Sequence, residues 1–162
     1  VIVKEKLLDE VLGNLPKYKA WHLIEKRMYS GEELENANFT IKPNGKGFTE
    51  DTKVSSNSLV VNKTRNMIPL QYIGRLDPER VELYHGDIVE AYIPNYRVKG
   101  SPYQVLRGWI SKGPGGFRLD GPIFDMGGID NAYYGPLRKV GTIFENSDLL
   151  EEKCLRQTVE PL

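Results

Sequence analysis

Between Leu70 and Glu145 the apolar runs are short, and turn residues close each one: Asp77-Pro78, Gly86-Asp87, Gly113-Pro114-Gly115-Gly116, Gly127-Gly128 and Gly135-Pro136. Proline fixes φ and lacks an N–H, while glycine reaches backbone conformations closed to other residues, so both interrupt regular structure. The apolar segments they punctuate (Leu70 to Ile73, Leu83 to Ile93 with Gly86-Asp87 near its start, Gln104 to Lys112, Lys139 to Glu145) have strand length and are rich in β-branched and aromatic residues. Such punctuation favours short strands joined by tight turns over a helical bundle. Sixteen glycines and ten prolines in 162 residues carry the same reading across the chain. This length suits one domain, or two small lobes sharing a core.

The flanking segments extend the pattern. Val3, Leu7, Leu8 and Val11 recur at helical spacing before Gly13 and Pro16 stop them, which predicts an amphipathic helix over 1–16. From Lys17 the alternation of Tyr18, Ala20 and His22 with Lys19, Trp21 and Leu23 predicts a strand with a buried face. Ser30 to Asn38 reads as a loop or helical turn. Pro43-Asn44-Gly45 marks a hairpin between Phe39 to Lys42 and Lys46 to Thr49. Ser58 to Val61 reads as a short strand. Phe117 to Leu119 leads into a loop through Gly127-Gly128, and Ser147 to Leu155 reads as a helix with Ser147 as its N-cap. The expected fold is mainly β: an N-terminal β-rich lobe over 17–69, a small SH3-like barrel over 70–146, and a helix and tail over 147–162, so that short helices stand at both ends.

Three blocks in order resemble one family. KYKAWHLIEKRMY at Lys17 to Tyr29 is similar to an opening "K-aromatic-R-A-W-D … K-M-Y". LQYIGRLDPERVELYHGDIVE, from Leu70, is similar to "L-Q-Y-T-G-L-K-D-x-x-G-x-x-I-Y-x-G-D-I-V". VGTIFENSDLLEE, from Val140, is similar to "I-G-N-I-Y-E-N-P-E-L-L". The family is that of the YopX-like proteins of bacteriophages and prophages, and the resemblance runs from Lys17 to Glu152. His22 stands where Asp is usual, Asp77-Pro78-Glu79-Arg80 replaces a glycine-containing turn, and Thr142 and Ser147 replace the usual Asn and Pro. The resemblance implies a phage or prophage protein working in a bacterial cytoplasm. It transfers no catalytic or binding residue.

The chemistry-bearing residue types form no recognisable constellation. His22 and His85 are far apart, Cys154 is the only cysteine, and Asp120, Asp125 and Asp130 lack the spacing and closing glutamate of a calcium loop. No metal and no cofactor is therefore expected. Gly113 to Gly116 has Arg118 at the third glycine position of GxGxxG, and Gly45-Lys46-Gly47 lacks the hydroxyl residue of a phosphate loop. No GxSxG or HExxH motif occurs, so the expectation is a non-catalytic protein. Asp87 is expected to bond backbone amides at its turn. A single cysteine, no signal-like apolar core and no long apolar run predict a cytoplasmic protein without a membrane partner.

Basic and acidic residues number 22 each, so no overall field draws the chain to a polyanion. One window departs from this balance. Between Glu90 and Asp120 no acidic residue occurs, whereas Arg97, Lys99, Arg107, Lys112 and Arg118 are interleaved with aromatics including Trp109. Cations tracking phosphates beside rings that stack on bases would suit single-stranded nucleic acid. The same residues also suit a core filled by aromatics beneath a solvated charged face. The leading expectation is a protein–protein or self-association module, a homo-oligomer with a phage or host protein as a further partner. Val3, Leu7, Leu8 and Val11 are its expected contacts, because so short a helix must dock on something. Nucleic-acid binding through Arg97, Lys99, Arg107, Trp109, Lys112 and Arg118 is the alternative.

Overall fold

A computed structural model describes residues 16–50, 63–94, 103–121, 125–128 and 135–151. By its contacts the chain divides into two compact units, Val1–Gln71 and Tyr72–Leu162. The fold is mainly β.

In the first unit, β1 (Tyr18–His22) pairs antiparallel with β2 (Arg27–Tyr29). Ser30 then caps helix α1 (Gly31–Asn36). The Glu33 N–H donates to Ser30 Oγ at 3.2 Å and the Ser30 N–H donates to Glu33 Oε2 at 2.9 Å, so two donors at the helix start are satisfied reciprocally. β3 (Phe39–Ile41) and β4 (Phe48–Glu50) form the hairpin expected around Asn44-Gly45. Its turn is held where the Lys46 N–H donates to Asn44 Oδ1 at 3.0 Å. A 3-10 turn, Lys63–Asn66, leads into β5 (Met67–Leu76), whose first half pairs with the free side of β1. Ala20, Leu34, Phe39, Phe48 and Met67 are buried together, with Tyr18, Tyr29 and Ile41 packed around them.

In the second unit, the later half of β5 pairs with β6 (Glu82–Tyr84), setting Tyr72 opposite Tyr84. β7 (Asp87–Pro94), β8 (Tyr103–Gly113), β9 (Gly116–Asp120), β10 (Asp125–Gly128) and β11 (Leu137–Thr142) build an antiparallel sheet in the order β10-β9-β8-β7-β11. The sheet curls into a half-barrel. Among the described residues its edge strands, β10 and β11, do not pair with one another. Alternate residues of the strands point inward, and Leu83, Val89, Ala91, Ile110, Leu119 and Leu137 form a core closed to solvent.

The structure corrects several sequence-based boundaries. The loop expected after Leu119 contains β10, whose Asp125-Met126-Gly127-Gly128 has little β-propensity and pairs antiparallel with β9. The closing strand begins at Leu137 and stops at Thr142, because Thr142 turns the chain: its carbonyl accepts the Asn146 N–H at 2.8 Å and its Oγ1 the Glu145 N–H at 3.2 Å. The described part of the expected terminal helix is a 3-10 turn, Ser147–Leu150, with Asn146 in the capping position. The Asn146 side chain is used elsewhere, accepting the Thr142 N–H at 3.2 Å. The expected helix over 1–16 and strand at Ser58 to Val61 lie outside the described residues.

Candidate interaction surfaces

Glu90 on β7 stands opposite Arg107 on β8 and Arg138 on β11, so register sets this acidic residue between two arginines on a single face of the sheet. Arg107 Nη2 donates to Glu90 Oε1 at 2.6 Å and Nη1 donates to the Leu149 carbonyl at 3.3 Å. Only 11% of the Arg107 side chain is exposed, so this cation ties the sheet to the 3-10 turn. Register places Trp109 and Arg118 on the same face. Arg118 lies 4.0 Å from Asp120, which also accepts a hydrogen bond from Ser111. Lys112 is an odd number of residues from Arg107 along an unbroken strand and faces the other way, with its ammonium 5.9 Å from the centre of the Phe117 ring. Thus Arg107, Trp109 and Arg118 share a face and Lys112 does not. Arg97, Lys99 and the expected oligomer contacts Val3, Leu7, Leu8 and Val11 lie outside the described residues.

Asp87 holds a turn by bonding backbone, as its sequence context indicates. Its Oδ2 accepts the Tyr84 N–H at 2.8 Å, and Lys139 reaches Oδ1 at 3.0 Å from β11. The neighbouring Tyr84 hydroxyl donates to Glu82 Oε2 at 2.7 Å, and burial followed by that carboxylate pushes the phenol well above its ordinary range.

In the first unit the β1–β2 connection carries Leu23 and Ile24 at its tip, 51% and 71% exposed. The tip is fixed by hydrogen bonds. Leu23 donates its N–H to the Asn66 carbonyl at 2.9 Å, and Lys26 donates to the His22 carbonyl at 2.9 Å. His22 Nδ1 accepts the Glu25 N–H at 3.1 Å. Behind the tip, the Arg27 guanidinium lies 3.9 Å from the Tyr29 ring centre and donates to Glu33 Oε1 at 2.9 Å. The Tyr29 hydroxyl donates to Glu25 Oε2 at 2.6 Å, the largest cause of a raised phenol pKa. The alternation through Leu23 predicts a continuous strand, whereas β1 ends at His22. No Gly, Asn or Pro marks the reversal, which is made by Lys26 at a φ of 50°.

In the second unit, Pro78, Glu79, Tyr92, Pro136 and Arg138 line an open pocket of about 480 Å3. Proline and tyrosine make its apolar walls, and Arg138 Nη2 lies 3.8 Å from Glu79 Oε1. Its Pro78-Glu79 side is held by buried Asp77, whose Oδ1 accepts N–H groups from Glu79 at 2.8 Å and Val81 at 2.9 Å. Its Pro136 side is held where the Gly135 N–H donates to the Tyr92 carbonyl at 3.0 Å. A Cβ at Gly135 would sit 2.7 Å from that carbonyl oxygen, so only glycine lets the chain approach so closely. The pocket residues come from three separate stretches; the Asp77-Pro78 and Gly135-Pro136 turns were visible in the sequence, and their meeting beside Tyr92 was not.

Among the described residues no group of three or more His, Cys, Asp or Glu side chains gathers to hold a metal ion. Among them, too, no helix is long and apolar enough to cross a membrane. The fold and surfaces define a mainly β protein with an apolar tip in one unit and a pocket in the other. A family model described as YopX protein matches residues 17–151, and the chain belongs to that family. The chain is similar to a solved structure titled as that of protein EF1440 from Enterococcus faecalis. That match has 22% sequence identity and a TM-score of 0.47, and covers 85% of this chain and 99% of the other. No curated protein matches.

Proposed function

We propose that this protein acts by binding other protein chains, with a second copy of itself as the first partner, as a non-catalytic accessory of a phage or prophage in a bacterial cytoplasm. The observation that carries the reading is the exposed Leu23–Ile24 pair on a hydrogen-bonded hairpin tip. Fully burying a side chain of this kind is worth roughly 1.5–3 kcal/mol, of which covering the exposed part of these two gains a share, and a tip already fixed in place loses little conformational freedom on binding. The charged face supports the same preference. Arg107, central to the basic window, is committed to Glu90 and to the Leu149 carbonyl, leaving it poorly placed to neutralise a phosphate. The test is light scattering over a tenfold dilution at micromolar concentration. Association is expected; a mass staying at the 18.4 kDa of one chain would overturn the self-association reading.

A further inference from the structure

We infer that the Leu23–Ile24 tip of one copy seats in the Pro78–Tyr92–Pro136 pocket of a second copy, an inference that rests on the self-association reading. The two surfaces match in chemistry. The tip offers two aliphatic side chains held outward, and the pocket offers two proline rings and a tyrosine as walls. At about 480 Å3 the pocket falls in the range of roughly 300–1,000 Å3 that buries compact apolar ligands. Both surfaces are built before they meet. The tip is tied by Leu23, Glu25 and Lys26 N–H groups, and the pocket by the Asp77 and Gly135 bonds.

The flanking charges match as well. Exposed Lys26 closely follows the apolar pair and Glu79 borders the pocket, so the cation of the tip has an opposite charge to meet, whereas Glu25 is held behind the tip by Tyr29 and Arg27. Glu79 and Arg138 are 70% and 51% exposed and lie 3.8 Å apart, a loose surface pair that contributes little to the folded chain by itself. Tip and pocket are different patches, so copies can join in either of two ways: a two-fold pair in which each tip enters the other's pocket, or a one-way head-to-tail contact that leaves a tip and a pocket open for further copies.

The experiment uses two full-length variants, each blocked on one side: Ile24→Asp spoils the tip and leaves the pocket, and Pro136→Asp spoils the pocket and leaves the tip. Both positions are exposed, and circular dichroism confirms that each variant folds. The expected result is that wild type associates, and each variant alone weakens association at least tenfold. An equimolar mixture of the two then recovers a 1:1 pair held by its one intact contact. A second arm reverses charge: Lys26→Glu weakens association, and Glu79→Lys in the same chain restores it. Monomeric wild type would overturn both this inference and the self-association reading. An oligomer indifferent to both apolar variants would overturn this inference alone, and so would two monomeric variants that fail to pair on mixing.

Discussion

The Lys139 ammonium lies 3.0 Å from Asp87 Oδ1 and joins β11 to the start of β7, where the other Asp87 oxygen already accepts the Tyr84 N–H. The Asp87 side chain is 5% exposed and the lysine 24%, so the pair sits at the inner margin of the sheet with little solvent screening. Asp87 thus joins β6, β7 and β11.

Replacing Lys139 with Met removes the cation beside a nearly buried carboxylate and should cost about 3 kcal/mol. Asp87→Ala, which also loses the bond to the Tyr84 amide, should cost at least as much. Urea denaturation measures both. A loss below 0.5 kcal/mol for either, the size of an ordinary surface change, would show that the clamp is dispensable.

The basic window separates into cations that serve the fold and cations that face water. Arg107→Ala strands Glu90, whose side chain is 16% exposed, and should destabilise the protein by about 3–5 kcal/mol. Lys112→Ala, at an exposed position, should change stability by no more than about 0.5 kcal/mol. Paired urea titrations of the two variants make the comparison, and equal losses would contradict it.

Gly86 has a φ of +88°, donates its N–H to the Ile110 carbonyl at 2.8 Å and accepts the Ile143 N–H at 2.9 Å. An alanine there meets a backbone conformation costing roughly 1–2 kcal/mol. Its Cβ would also lie 2.9 Å from the Phe144 ring, which must move. Gly86→Ala should therefore lower the melting temperature by several degrees, whereas Gly115→Ala, with open space around its Cβ, should lower it less. Thermal scans at one pH distinguish the two.

Burial, followed by the Lys112 charge, holds the His85 imidazole below its ordinary value of 6.5. The folded protein therefore takes up this proton less readily than the unfolded chain. Stability linked to His85 is full above pH 6.5 and falls as the pH drops from there toward the lowered folded-state value. His85→Gln removes this contribution. The difference in unfolding free energy between wild type and variant should shift against wild type between pH 7 and pH 5. A pH-independent difference would mean that His85 does not contribute.

The strand character of Leu70 to Glu145, the Pro43-Asn44-Gly45 hairpin, the turn role of Asp87 and the family blocks were legible because each is local. Alternating apolar residues, a proline or a glycine constrain their own backbone wherever the chain goes. β10 was not legible, because an edge strand of Asp125-Met126-Gly127-Gly128 exists only where β9 supplies hydrogen-bond partners. Nor was the β1–β2 reversal, where Lys26 takes a left-handed conformation that local propensity disfavours.

The surfaces divide in the same way. A run of sequence without acidic residues made Arg107 look like part of a basic patch. Register then set Glu90 beside it, seventeen positions away in the chain, and turned an apparent ligand contact into an internal ion pair. Sequence by itself determined the mainly β class, the turns and the family, since these depend on neighbours along the chain. Tertiary structure alone decided which charges are neutralised, which aliphatic side chains stand open at a tip, and which prolines meet Tyr92 at a pocket. Those outcomes depend on strand pairing between distant residues, and a one-residue change of register would reverse the face on which each side chain emerges.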